Sequence, residues 1–107
     1  MHLGELQDEA YRIAVDKGWL TRPIPVPEMI ALCHSELSEA LEEYRNGKPF
    51  YYTGDNNKPE GLATEFADVV IRILFYSQLL GFDLETIIKK KMKYNETREY
   101  RHGGKRI

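Results

Sequence analysis

The stretch from Glu60 to Leu80 restricts this chain more than any other. Stepped at about 100° per residue, Leu62, Phe66, Val69, Val70, Ile73 and Leu74 line one side of a helix, while Ile71, Phe75 and Leu79 make the far side apolar too. A helix apolar nearly all round is expected to be buried, yet this one carries Glu65, Asp68 and Arg72 in a single sector. Those charges are therefore placed in or beside the core. At 107 residues and 12.5 kDa the chain has room for one domain only. Such a chain buries roughly 65% of its unfolded surface, so the second apolar face of the helix is expected to need another copy of the chain to cover it.

Three more helices follow from periodicity and punctuation. The first runs from Leu3 to Lys17, with Leu3, Leu6, Ala10, Ile13 and Ala14 on one side and acids on the other, and Gly18 closes it. Residues 19–27, WLTRPIPVP, form a connector stiffened by three prolines, each fixing its own φ and biasing its predecessor away from helix. The second helix covers Pro27 to Asn46 and stops at Gly47. A long turn-rich loop, GKPFYYTGDNNKP, leads to the third helix over Glu60 to Leu80, ended by Gly81. The fourth begins near Asp83, an N-cap residue type, and continues to Tyr100. No stretch shows sustained strand alternation. The expected fold is all-α, a four-helix bundle assembled as a homo-oligomer, one domain over residues 1–107 with 101–107 a basic tail.

The second helix also carries spaced acids. Glu36-x-x-Glu39 on this helix matches Glu65-x-x-Asp68 on the third, and residues three apart share a helix face. Glu36 lies between apolar neighbours, whereas Ser35, Ser38, Glu42 and Arg45 supply an ordinary solvent face. At an effective dielectric of 20, two carboxylates about 6 Å apart repel by roughly 3 kcal/mol, and four make six such pairs. That sum rivals the roughly 5–15 kcal/mol that holds a domain together. Such a cluster needs protons, basic partners, water or a cation. Arg72 is expected to neutralise Asp68 across one helical turn, which leaves most of the charge uncompensated. Carboxylate oxygens without a cysteine or histidine ligand favour Mg²⁺, or Mn²⁺, over zinc. A di-iron bundle would use a Glu-x-x-His spacing, which does not occur. Solvated helix-face acids are the plain alternative.

The remaining chemistry-bearing residues are basic or aromatic. On the fourth helix Lys91, Asn95 and Arg98 share the sector of Leu84 and Ile88 and are expected to face inward, whereas Lys89, Lys90 and Lys93 face out. The tail YRHGGKR sets two glycines among basic residues, either a phosphate-binding flap or an unstructured end. Trp19 and the loop aromatics Phe50, Tyr51 and Tyr52 are either platforms for a base or packing at the bundle end and at a subunit interface. His34 is read as a surface or interface residue and Cys33 as an inert inward thiol. One cysteine excludes an intrachain disulfide. With 15 basic and 17 acidic residues the chain has a formal charge of -2, so bulk nucleic-acid binding is not expected. No apolar run reaches the length of a membrane span, and the start MHLGELQDEA lacks a signal peptide's grammar. A cytoplasmic protein without a membrane partner is expected.

With 25 residues separating Glu36-x-x-Glu39 from Glu65-x-x-Asp68, the order of helices and acids resembles the MazG-like all-α nucleoside triphosphate pyrophosphohydrolase superfamily. The resemblance extends over nearly the whole chain, and Lys91-x-x-x-Asn95, Arg98 and YRHGGK are similar to the C-terminal segment of its small members. One departure is Ser35, where many members carry a second acid; Glu43, a turn beyond Glu39, is a partial substitute. The resemblance implies Mg²⁺-dependent hydrolysis of a nucleoside triphosphate, ribo or deoxy, between its α- and β-phosphates, giving monophosphate and pyrophosphate in a house-cleaning or pool-control role. Glu36, Glu39, Glu65 and Asp68 would hold the metal, with Glu39 and Glu36 as catalytic acids and Glu39 as the general base. Lys91, Asn95, Arg98, Arg101, Lys105 and Trp19 would bind substrate, in a homodimer or homotetramer. The dimeric dUTPase, dCTP pyrophosphatase and phosphoribosyl-ATP pyrophosphatase branches are not separated by these residues. The alternative from another class is a non-catalytic nucleotide- or metal-binding regulatory module.

Overall fold

A computed structural model describes residues 1–98. Its elements, in chain order, are α1 (Leu3–Asp16), α2 (Val26–Arg45), β1 (Tyr52–Thr53), a short 3₁₀ turn (Asp55–Asn57), β2 (Pro59–Glu60), α3 (Leu62–Leu80) and α4 (Leu84–Glu96). The four helices lie where periodicity puts them. α4 ends at Glu96 with Thr97 as its cap, short of the expected Tyr100, which lies outside the described residues together with the basic tail.

The apolar third helix takes the central position. α1 packs along one side of α3 and α2 along another. Their shared core is small: Ala10 and Ala14 of α1 and Met29 of α2 close on Leu74, Phe75 and Tyr76 of α3. The two alanines let α1 approach closely, and Phe75 meets Tyr76 edge-on at 4.8 Å between ring centroids. At the far end of α3, buried Gln7 ties three elements together. Its Nε2 donates to Gln78 Oε1 at 3.2 Å and to the Phe82 carbonyl at 2.9 Å, and its Oε1 accepts the Leu84 amide at 3.1 Å. An otherwise costly buried amide is thereby satisfied.

A closed four-helix bundle is not formed within one chain. α4 packs mainly against the start of α1, where Glu85 accepts the Gly4 amide at 2.8 Å, and every residue from Thr86 to Arg98 is exposed. The radius of gyration, 16.5 Å, exceeds the about 13 Å of a compact chain this long. Nor is α3 buried all round. Phe66 is 51% and Val70 50% exposed, so the open face is the one lined by these residues, whereas Phe75 of the far side, expected to need cover from another copy, is buried within the chain.

The loop contains a structure that periodicity misses. β1 and β2 pair antiparallel, Tyr52 opposite Glu60 and Thr53 opposite Pro59, around the left-handed residues Asn56 and Asn57. Two-residue strands are too short for any alternation to show. The ribbon delivers the chain to α3 through Gly61, at φ 104°, where a Cβ would collide with the Phe50 carbonyl oxygen. That close approach leaves the same carbonyl free to accept the Ala63 amide at 2.8 Å, which fixes the first turn of α3.

Candidate metal centre and cleft

Glu36 stands mid-way along α2, while Glu65 and Asp68 occupy the first two turns of α3. Because α2 and α3 pack side by side, the three carboxylates converge: one ligand oxygen from each lies within 4.8 Å of the others, all partly buried. One Glu65 oxygen, Oε2, is buried with no hydrogen-bond partner. The first turn of a helix ordinarily favours an ionised acid. Burial and the neighbouring Glu36, Glu39 and Asp68 carboxylates overcome that, pushing Glu65 up to about 8. Burial and the surrounding acids also raise Asp68. Glu36 differs: burial pushes it up, but the hydrogen bond from Arg72 and those shared with Glu65 and Glu39 outweigh this and hold it below the usual range. The cluster thus keeps a proton on Glu65 and a guanidinium on Glu36. A hard divalent cation fits this donor set, since it would take the orphaned oxygen as a ligand and replace the proton.

Glu39, expected as a fourth ligand, stands outside the convergent three. Its side chain is exposed, yet close enough to Glu65 to raise that residue's proton affinity. Arg72 corrects a second expectation. Instead of Asp68 one turn away, it binds Glu36 across the helix pair, Nε to Oε1 at 3.0 Å, while Nη1 donates to the Tyr76 hydroxyl at 3.0 Å. Glu36 and Tyr76 thus share the guanidinium, and the packing of α2 on α3 brings Glu36 rather than Asp68 to it. Glu43 accepts the Tyr52 hydroxyl at 3.2 Å and so braces the ribbon rather than joining the cluster.

A cleft of about 690 Å³ opens beside the acids. Glu36, Asp68 and Arg72 line it on the side of the clustered acids, Trp19, Ile24, Leu74 and Phe75 are among its apolar walls, and Glu9, Arg22 and Glu28 add further charge to its lining. Trp19 is 55% exposed and rests on Phe75 with ring centroids 6.1 Å apart. The end of α1 sets its place: Gly18, at φ 73°, donates to the Val15 carbonyl and the Trp19 amide bonds Ala14 at 2.9 Å, a Schellman turn. Arg22 pins the connector by an ion pair with Glu28 at 2.7 Å. From Asp68 to Phe75 is seven residues of α3, about 10 Å along the axis.

The fourth helix does not bring its basic residues to the acids. Lys91, Asn95 and Arg98 are exposed, Lys91 lying 4.9 Å from the centre of the Tyr94 ring, and neither Lys91 nor Arg98 pairs with an acid among the described residues. The inward sector was read from Leu84 and Ile88, but only Leu84 finds cover, against the core. Arg101 and Lys105 lie outside the described residues. His34 is exposed; Cys33 packs at the core edge, and burial pushes its thiol up, as suits an inert residue. Sequence reasoning missed Tyr76 and Arg22 as parts of the cleft and Lys58, whose charge reaches Asp68 from the ribbon. Helix spacing offered a signal for Tyr76 alone, one turn beyond Arg72.

No described helix is long and apolar enough to cross a membrane. Comparison of the chain with protein-family models, with curated proteins and with solved structures found no match.

Proposed function

We propose that this chain is a Mg²⁺-dependent nucleoside triphosphate pyrophosphohydrolase of the MazG-like kind, active as a homo-oligomer. The observation that carries the reading is the convergence of Glu36, Glu65 and Asp68, two of which, Glu36 and Asp68, line a cleft that also holds Trp19. The about 10 Å between Asp68 and the Phe75–Trp19 wall matches a ligand with an anionic chain at one end and a flat base at the other. Bound Mg²⁺ would supply positive charge to offset that developing on the departing pyrophosphate. Glu36, Glu65 and Asp68 would hold it. Glu39, not among the three, is the carboxylate left to orient and deprotonate the attacking water. Trp19 would present an aromatic face to the base and exclude water beside it.

Self-association supplies what one chain lacks. The chain exposes 8477 Å², against about 6,200 Å² for a compact monomer of this mass. The difference, about 2,300 Å² per chain, corresponds to what each partner buries in a large obligate interface, about 2,000–5,000 Å² over both partners. Ile87 and Met92 are exposed on the helix that carries Lys91 and Asn95 and leads directly into Arg98, so docking of this helix would carry those residues toward a neighbouring copy.

Incubation with Mg²⁺ and a panel of NTPs and dNTPs tests the reading. Turnover should vanish with EDTA and fall at least about 100-fold in Glu36→Gln and in Glu39→Gln; turnover indifferent to both substitutions would sink it. A second reading, a catalytically silent binding module, is favoured by the Arg72–Glu36 pair, in which a side chain of the fold already neutralises one acid. It predicts thermal stabilisation by Mg²⁺ and nucleotide without product.

A further inference from the structure

Two cations line the cleft, Arg22 and Arg72; Arg22 is paired with Glu28, and Arg72 is the one that stands among the clustered acids. Its guanidinium is anchored at two atoms on opposite sides, Nε on Glu36 and Nη1 on the Tyr76 hydroxyl, each at 3.0 Å. The third nitrogen, Nη2, makes no hydrogen bond among the described residues, and Arg72 lines the cleft beside both Glu36 and Asp68. A fork held in plane by two anchors has already lost most of its rotamer freedom, so a further bond costs little ordering. Guanidinium groups suit the oxygens of a phosphate chain, which can accept from parallel N–H groups. The basic residues of α4, by contrast, are exposed and unpaired with these acids.

Resting on the polyphosphate chemistry proposed above, we infer that Arg72 is the anion-binding residue beside the acids of this cleft, offering its uncommitted Nη2 to a phosphate of the bound ligand while its charge restrains the acids' affinity for a cation alone. The two effects have opposite signs. Removing the positive charge leaves the three acids less compensated, which favours a divalent cation, and it deletes a charged donor to the anion. A residue that merely braced α2 against α3 would weaken both.

The test uses the full chain and two separate binding measurements, Mn²⁺ alone by electron paramagnetic resonance and inorganic tripolyphosphate by calorimetry at saturating free Mg²⁺. Arg72→Gln should bind Mn²⁺ as tightly as the parent or more tightly and lose about 10-fold in tripolyphosphate affinity, the worth of one charged hydrogen bond. Arg72→Lys keeps the charge and a bond to Glu36 and guards against a variant that fails to fold. It should leave Mn²⁺ affinity within about 3-fold of the parent and still lose tripolyphosphate affinity, because an ammonium lacks the fork. Tripolyphosphate affinity unchanged in either variant overturns the assignment, as does a parallel fall of both affinities in Arg72→Lys. A parent chain that binds Mn²⁺ but no tripolyphosphate overturns it while leaving the metal centre standing. One that binds no Mn²⁺ overturns the proposed function as well.

Discussion

At the scale of single residues, Glu65 has the most measurable consequence. Burial and the surrounding carboxylates raise it to about 8 in the folded chain, far above an unfolded glutamate. The fold therefore binds this proton more tightly than the unfolded chain does, so the contribution to stability is complete below about pH 4.5 and is lost as pH rises through 8. Without divalent cations the melting temperature should fall between about pH 5 and 8.5, and Glu65→Gln should flatten that slope; a slope unchanged by the substitution contradicts the buried, proton-holding acid. Mg²⁺ must displace the same proton, so its affinity should climb over this interval. Trp19 makes a second prediction at this scale. Trp19→Ala should weaken nucleotide binding by about 10-fold, the worth of one stacked base, and leave tripolyphosphate binding unchanged, as paired titrations would show. The converging acids were legible because a spacing of three on an apolar helix forces them to one side. The partner of Arg72 was not, since two carboxylates compete for it and only the packing of α2 on α3 decides between them.

At the scale of elements, the helices were legible and the ribbon was not. Gly18, Gly47 and Gly81 each follow a helix at positive φ, so a residue type with one conformational use marks three of the boundaries. The ribbon between Tyr52 and Glu60 rests instead on left-handed Asn56 and Asn57 and on the passage of Gly61 beneath Phe50. None of those has a periodic signature. The site depends on this passage, since Gly61 sets the first turn of α3 and with it Glu65. Gly61→Ala should cost about 3 kcal/mol in urea unfolding, combining a strained φ with a collision against backbone. Gly47→Ala, at φ 67° with nothing within 4 Å of the added carbon, should cost about 1 kcal/mol. Equal losses would remove the special role given to the Gly61 passage. The sector of α4 misled for a related reason. A wheel ranks the faces of a helix by polarity but does not say whether a neighbour exists to cover the best one.

At the scale of the whole molecule, an exposed apolar α3 face and an uncovered α4 describe a chain with more surface than its mass requires. The apolar circumference of the third helix called for a second copy of the chain as cover, but on the side of Ile71, Phe75 and Leu79, whereas Phe75 is buried within the chain and the face of Phe66 and Val70 is the open one. Light scattering should give a mass above the 12.5 kDa monomer at micromolar concentration, and Val70→Asp, on the open α3 face, should shift the mass toward the monomer. A monodisperse monomer with full activity would separate function from assembly. The charge balance also acquires a location, with three acids gathered between α2 and α3 and two of them, Glu36 and Asp68, lining the cleft beside Arg72. The central claim is that this juxtaposition hydrolyses the bond between the α- and β-phosphates. ³¹P nuclear magnetic resonance of a turnover reaction with Mg²⁺ and a nucleoside triphosphate reads the products directly: monophosphate and pyrophosphate are the predicted pair, and diphosphate with inorganic phosphate, or an unchanged spectrum across the nucleotide panel, would contradict the claim.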